Sequence, residues 1–281
     1  MKHQFSLAYL TVPGTTPAAQ TRIAARAGYD SVSFRLANIG LPGEPEDPVS
    51  PQSLRETTRA LRETGLPVLD VELARIVRDR DARSYVPVME AAAAMGARHM
   101  ISSAWTNEPN DGAFVVERYA EICDLARPFS LTVDLEFPTF SRVRSLAEAL
   151  DVVRNAGQPN GGVLVDALYY HFSNCTLAEL AGLPRKWAHF IHLCDTSRGV
   201  PTTKQAQMQV ARENRLYVGD GCIDLAGLVD ALPGVPLSIE LPNARRSAEL
   251  GHEGHARRCL ETARSYFQHG RELALAAQRH A

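Results

Sequence analysis

Cysteine is scarce in this chain. Its 281 residues hold five, Cys123, Cys175, Cys194, Cys222 and Cys259, and none forms a C-x-x-C pair. That pattern excludes a zinc ribbon and a disulfide-stapled scaffold, and an odd number of scattered thiols reads as reduced cysteines in a cytoplasmic protein. No run approaches the ~20 apolar residues of a membrane span. The opening MKHQFSLAYLTVPG is too short in its apolar part for a signal peptide and reads as a first strand. An excess of positive charge is also missing: the net charge is −2, with both signs interspersed. This argues against nucleic-acid and membrane-surface binding and for a small-molecule substrate. No G-x-G-x-x-G follows the first strand, which disfavours a dinucleotide-binding sheet. Repeats, low-complexity segments and domain linkers are absent.

What is present is alternation. Short apolar runs without period-two patterning suit strands covered on both faces. They occur at 4–10, 30–36, 67–73, 98–103, 131–136, 162–167, 188–193 and 236–241. Helical patterns lie at 17–27, 51–64, 82–95, 112–128, 145–156, 176–182, 224–231 and 249–275. Eight such units in a chain of this length predict one α/β domain over 1–281, a (β/α)8 barrel, with 249–281 as a helical extension. A doubly wound open sheet is the rival. Capping boxes are expected at Ser53–Glu56, Ser145–Glu148 and Thr176–Glu179. Gly28, Gly65 and Gly96 stand where helices should stop. Two connections are long, 37–50 and 194–223, and both are candidate lids; the second has room for a short helix between Thr202 and Asn214.

The last four predicted strands end alike. Glu136, Asp166, His192 and Glu240 stand at or near their C-terminal ends, which in a closed parallel barrel converge on one mouth. Any one acid there is as readily a cap or an ion-pair partner. Three carboxylates and an imidazole together call for compensation, because a buried unpaired charge is costly. A hard divalent cation supplies it, and one imidazole among oxygens favours Mn²⁺, Co²⁺, Fe²⁺ or Mg²⁺ over a structural zinc. A metal that chelates a carbonyl and the adjacent hydroxyl stabilises an enediolate, and a carboxylate at the α-carbon can remove its proton. Return of the proton to the other face gives an epimer, and to the next carbon an isomer. Loss of a β-hydroxyl gives dehydration.

The runs Gly162–Leu168, Ile191–Asp195, Arg215–Gly221 and Pro236–Pro242, with Leu69–Glu72 and Leu135–Phe137, resemble the sugar phosphate isomerase/epimerase family of xylose-isomerase-like TIM barrels over nearly the whole chain. The resemblance implies that Glu136, Asp166, His192 and Glu240 are metal ligands and that Glu136 and Glu240 form the acid/base pair. It also spans dehydratases of 3-dehydroshikimate. Many relatives carry Asp-x-x-His after strand six, whereas this chain has Asp166-Ala-Leu-Tyr169, with His171 two residues later. Tyr169 and His171 are therefore either substrate contacts or plain loop residues.

Other candidates are open between two roles. Glu72 is a substrate contact or the ion-pair partner of Arg35 or Arg75. Arg35 grips an anion or pairs locally. Arg215 reaches the pocket or sits on a solvated face. Trp105 is a platform for a ring or part of the wall, and Ser197-Arg198-Gly199 is a weak phosphate grip. His189 reads as structural, and His252 and His255 as solvent or interface residues. The functional expectation is a metal-dependent isomerase or epimerase of a small sugar or hydroxy-ketone. A dehydratase working through the same chemistry is the alternative. A multi-metal nuclease lacks the necessary histidines, and a metal-free binding module is a further reading. A homo-oligomer built through the outer helices fits the pattern.

Overall fold

The computed structural model describes residues 3–108 and 110–279, with side chains up to residue 269. Eight parallel strands close a barrel in chain order: β1 (Phe5–Leu7), β2 (Ser31–Arg35), β3 (Val68–Ile76), β4 (His99–Ala104), β5 (Thr132–Glu136), β6 (Gly161–Asp166), β7 (Ile191–Leu193) and β8 (Leu237–Ile239), with β8 returning to β1. The expected (β/α)8 architecture is thus the observed one. Around it run α1 (Pro17–Ala27), α2 (Pro51–Thr64), α3 (Val86–Ala94), α4 (Gly112–Ala126), α5 (Leu146–Ala156), α6 (Ala167–Phe172), α7 (Leu177–Ala181), α8 (Lys204–Glu213), α9 (Leu225–Ala231) and α10 (Ala244–Arg279). The tail helix starts before the expected residue 249 and breaks at Gly251, whose φ is +66°; positions 280 and 281 of the expected extension lie outside the described residues.

The non-alternating runs are explained by two covered faces. Val163 and Val165 of β6 pack outward into the large cluster shared with the helices, while Leu164 points into the lumen. There it joins Leu69, Leu73, Ile101 and Phe190 in a small apolar cluster. The lumen also has a polar side, where Ser6 Oγ lies 2.9 Å from Ser33 Oγ, and Ser33 reaches Ser238 and Asp70.

Of the three expected hydroxyl caps, two hold and the third shifts. Thr176 and Glu179 form the full reciprocal box. Ser145 caps α5, but Glu148 reaches back one residue further, to the N–H of Arg144. In α2 the cap is Ser50, not Ser53, because Pro51 has no N–H to lose and takes the first helical position. Gly28, Gly65 and Gly96 all take positive φ, as helix-ending glycines do.

Candidate metal centre at the barrel mouth

Glu136 closes β5, Asp166 closes β6, His192 lies in β7 and Glu240 follows β8. One ligand atom from each lies within 4.8 Å of the others, and all four residues are buried. His192 is 1% exposed, yet neither ring nitrogen has a hydrogen-bond partner among the described residues. The oxygens around its Nδ1 stand off at 3.4 Å (Glu240), 3.7 Å (Glu136) and 3.9 Å (Asp166). This is beyond good hydrogen-bonding range for the last two and marginal for the first.

Arg215 is the site's permanent cation. It is fully buried, with its guanidinium 2.7 Å from Asp166 Oδ2 and 2.8 Å from Glu240 Oε2, and it donates to the Glu240 carbonyl at 3.1 Å. The alternative of a solvated face for Arg215 is therefore corrected. The connection that carries it is pinned by Asp195, whose carboxylate accepts from the N–H groups of Thr196, Gly219, Gly221 and Ile223. A Cβ at Gly221 would collide with Asp195, which accounts for a glycine there. Asp166 has a second duty, since its Oδ1 accepts from Leu168 N at 2.7 Å and starts α6 immediately after the strand.

The electrostatics of the four side chains differ. Burial pushes Glu136 up to about 7, with Glu240 and Asp166 adding to the rise. Burial acts on Glu240 too, but the charges of His192 and Arg215 outweigh it and hold that carboxyl below the usual range. Asp166 is raised, by burial first, against the pull of Arg215. His192 is raised well above an ordinary histidine, since Glu240 and Glu136 overcome its burial.

This donor set fits a divalent cation. Three buried carboxylates face one guanidinium, which leaves two negative charges uncompensated when His192 is neutral. Carboxylate oxygens have lone pairs to spare beyond those given to Arg215. The imidazole, without hydrogen-bond partners among the described residues, completes a mixed N/O set suited to a hard or borderline divalent cation.

The remaining predicted residues are distributed around this centre. Arg35 is engaged within the protein, at 3.1 Å from Glu44 and 3.3 Å from Glu72, with all three side chains covered. Glu44 also accepts from the backbone of Ile39, Gly40 and Leu41 and so folds the 37–50 loop onto the barrel. Tyr169 is buried beside the centre, with Arg215 above its ring at 5.6 Å and Phe140 edge-on at 5.7 Å. Trp105 packs on Phe140 and donates to Ser103 Oγ at 2.7 Å. His171 turns to Cys222 and Phe172 and is not one of the four grouped ligands. Ser197, Arg198 and Gly199 are exposed. His189 is tied to Asp134 at 2.6 Å, with His99 stacked on it at 5.1 Å. His255 is not a solvent residue: it is buried and bonded to Leu241 O and Tyr217, because α10 packs against the end of β8. Asp195 was overlooked as a site organiser, although it stands in the Ile191–Asp195 motif.

Among the described residues no helix is long and apolar enough to cross a membrane, and all five cysteines are free. The family model described as "Xylose isomerase-like TIM barrel" matches residues 21–264. Inosose isomerase of Bacillus velezensis is 23% identical over 235 residues, 76% of this chain and 79% of that protein. 3-Dehydroshikimate dehydratase of Pseudomonas aeruginosa is 24% identical over 257 residues, covering 85% of this chain but only 38% of that one. Among solved structures, the IolI protein with a bound zinc atom superposes with a TM-score of 0.78 at 19% identity, over 94% of this chain and 97% of that one. The apo 3-keto-D-glucoside 4-epimerase YcjR of E. coli gives 0.70 at 16% identity, over 94% and 100%.

Proposed function

This chain belongs to the xylose isomerase-like TIM barrel family, and from that premise we propose that it is a divalent-metal-dependent isomerase or epimerase of a small sugar or hydroxy-ketone. The observation that carries the reading is the buried, mutually close quartet whose histidine has both ring nitrogens unpartnered among the described residues. Glu136, Asp166, His192 and Glu240 would hold the ion. When bound, it supplies Lewis acidity to a carbonyl oxygen and acidifies the neighbouring C–H. Mn²⁺, Co²⁺, Mg²⁺ and Fe²⁺ suit the donors, and the zinc-bound IolI neighbour adds Zn²⁺ to the candidates.

The chain's own residues divide the remaining work. Arg215 opposes the effect of burial on Asp166 and Glu240 and holds both carboxylates in place. Glu136, at the end of β5, is one member of the acid/base pair, a carboxylate placed to take or return a proton. Glu240 stands across from it as the second member of the acid/base pair. Tyr169 packs against the Arg215 guanidinium and the Phe140 ring beside them. Proton removal at the carbon next to a carbonyl by one carboxylate, and delivery by the other, changes configuration or moves the carbonyl.

The dehydratase relative favours a second reading, loss of water from a β-hydroxy ketone through the same first step. Incubation with candidate substrates in deuterated water separates the two. Deuterium uptake with a new stereoisomer or ketose at unchanged carbon skeleton supports isomerisation. Loss of water with a conjugated chromophore moves the assignment to a lyase. Metal-replete protein that exchanges no substrate proton would overturn both.

A further inference from the structure

Above β3, β4 and β5, on the mouth side of the barrel, lies a cavity of about 480 Å³. Arg75, Arg142, Arg144 and Lys204 line it, together with Trp105 and Phe140. Arg75 is the penultimate residue of β3, Arg142 and Arg144 come from the loop after β5, and Lys204 begins α8 in the long connection after β7. Three separate elements therefore point cationic side chains into one space. Among the described residues, no carboxylate pairs with Arg75, Arg142 or Lys204. The Arg75 guanidinium lies over the Trp105 ring at 5.1 Å, and its Nε is buried without a hydrogen-bond partner. Arg144 uses its Nε on the carbonyl of Ser141. Two acids border the same space. Glu148 is committed to the backbone N–H of Arg144, and Glu108 stands exposed at the rim.

A cluster of unpaired cations around a half-enclosed cavity repels itself until an anion enters, and guanidinium groups match carboxylate and phosphate oxygens. The aromatic wall gives the cavity its relation to the metal centre: Trp105 touches Phe140, Phe140 meets Tyr169 edge-on, and Tyr169 lies under Arg215. Phe140 thus lines the cavity and touches the ring beside the metal centre, so the two regions adjoin at the barrel mouth.

We propose that this cavity holds the anionic end, a carboxylate or a phosphate, of the substrate whose reacting carbons lie between Glu136 and Glu240. The proposal rests on the function read above and narrows it to acidic sugars, sugar phosphates or hydroxy acids. The Arg75 guanidinium takes the anion, Arg142 and Lys204 close over it, and the Trp105 ring keeps the guanidinium in position.

The test has two arms. In the first, calorimetry measures inorganic phosphate and succinate binding to the metal-loaded protein and to Arg75→Gln and the double variant Arg142→Gln/Lys204→Gln. Lys204 is exposed and Arg142 partly so, so that pair leaves the fold in place even if Arg75→Gln does not. Affinity should fall by roughly tenfold or more, the loss of a charge-assisted hydrogen bond, with metal content unchanged. The preferred probe tells phosphate from carboxylate. The second arm follows α-proton exchange in deuterated water for D-ribulose against D-ribulose 5-phosphate and for D-fructose against D-fructuronate. The charged member of one pair should exchange about tenfold faster or more in the wild type, and the preference should vanish in the variants. Equal affinity for both anions in wild type and variants, or equal exchange within both pairs, overturns the proposal. Variant-sensitive anion binding with no exchange from any sugar leaves the anion site standing and removes the isomerase reading instead.

Discussion

Replacing His99 with asparagine should change how the protein responds to acid. Asp134 is a single buried carboxylate facing two imidazoles. His189 is 2.6 Å from it, and that hydrogen bond overcomes burial and raises the His189 pKa. His99 stands at 3.8 Å, its Nδ1 bonded to Thr132 Oγ1 at 2.7 Å. Burial therefore dominates at His99 and takes it from 6.5 down to about 4, against the pull of Asp134. A histidine whose pKa is lower folded than unfolded contributes stability above about pH 6.5, and that stability is lost as pH falls toward 4. At about pH 5 the loss amounts to about 2 kcal/mol. His189 has the opposite sign: its contribution is complete below about pH 6.5 and declines only as pH rises through its elevated value, so it is flat in the acid window. His99→Asn keeps a polar atom near the position of Nδ1 for Thr132 and cannot titrate. Melting curves of wild type and variant at about pH 7.5 and about pH 5 isolate the term, because every other group titrates alike in both. For a chain of this size the wild type should lose about 4 °C more than the variant on acidification. Parallel shifts in the two proteins would refute the argument, as would an NMR titration placing His99 near 6.5.

Asp166→Asn should lower metal content measured by plasma mass spectrometry and abolish turnover. It should leave α6 in place, since asparagine also caps helices; wild-type metal content would remove Asp166 from the centre. Glu240→Gln should slow substrate proton exchange in deuterated water by about 100-fold or more, the usual weight of a general acid or base, and unchanged exchange would assign the proton to another group. Gly162→Ala forces a Cβ against Asp134 Oδ1 and to 2.7 Å from His189 Nδ1. Such crowding costs about 1–3 kcal/mol, visible as a melting point lowered by several degrees, and an unchanged melting point would contradict the packing described. Arg215→Met strands Asp166 and Glu240 without their shared cation. It should destabilise the metal-free protein by about 3–5 kcal/mol in urea titration, whereas neutral behaviour would show that the ion pairs contribute nothing.

The barrel was legible because strand and helix signals alternate eight times, and the last four strands each end on or near an acid or an imidazole. Glu136, Asp166, His192 and Glu240 could be read together for the same reason, since strand ends share one rim and spacing along the chain does not matter. Arg215 had no such marker. It meets Asp166 from 49 residues away through the path of a long loop, and nothing local distinguishes it from a surface arginine. Helix α6 was missed because Asp166 ends a strand and starts a helix at once, leaving no gap to announce it. Ser50 and Ser53 are equally good caps by composition, and Pro51 decided between them. His255 looked exposed because a helix rich in arginine hides the one face that turns inward.

The apolar cluster inside the lumen has a thermodynamic and a topological consequence. Leu69, Leu73, Ile101, Leu164 and Phe190 form an apolar part of the lumen, distinct from the polar group of Ser6, Ser33, Ser238 and Asp70. Solvent, reactant and ion must all come and go by the same doorway, so whatever occupies the doorway decides the hydration of everything below. On this apolar side a proton lifted from a bound molecule meets no acceptor, so its fate there depends on which side chain at the rim returns it before the doorway reopens.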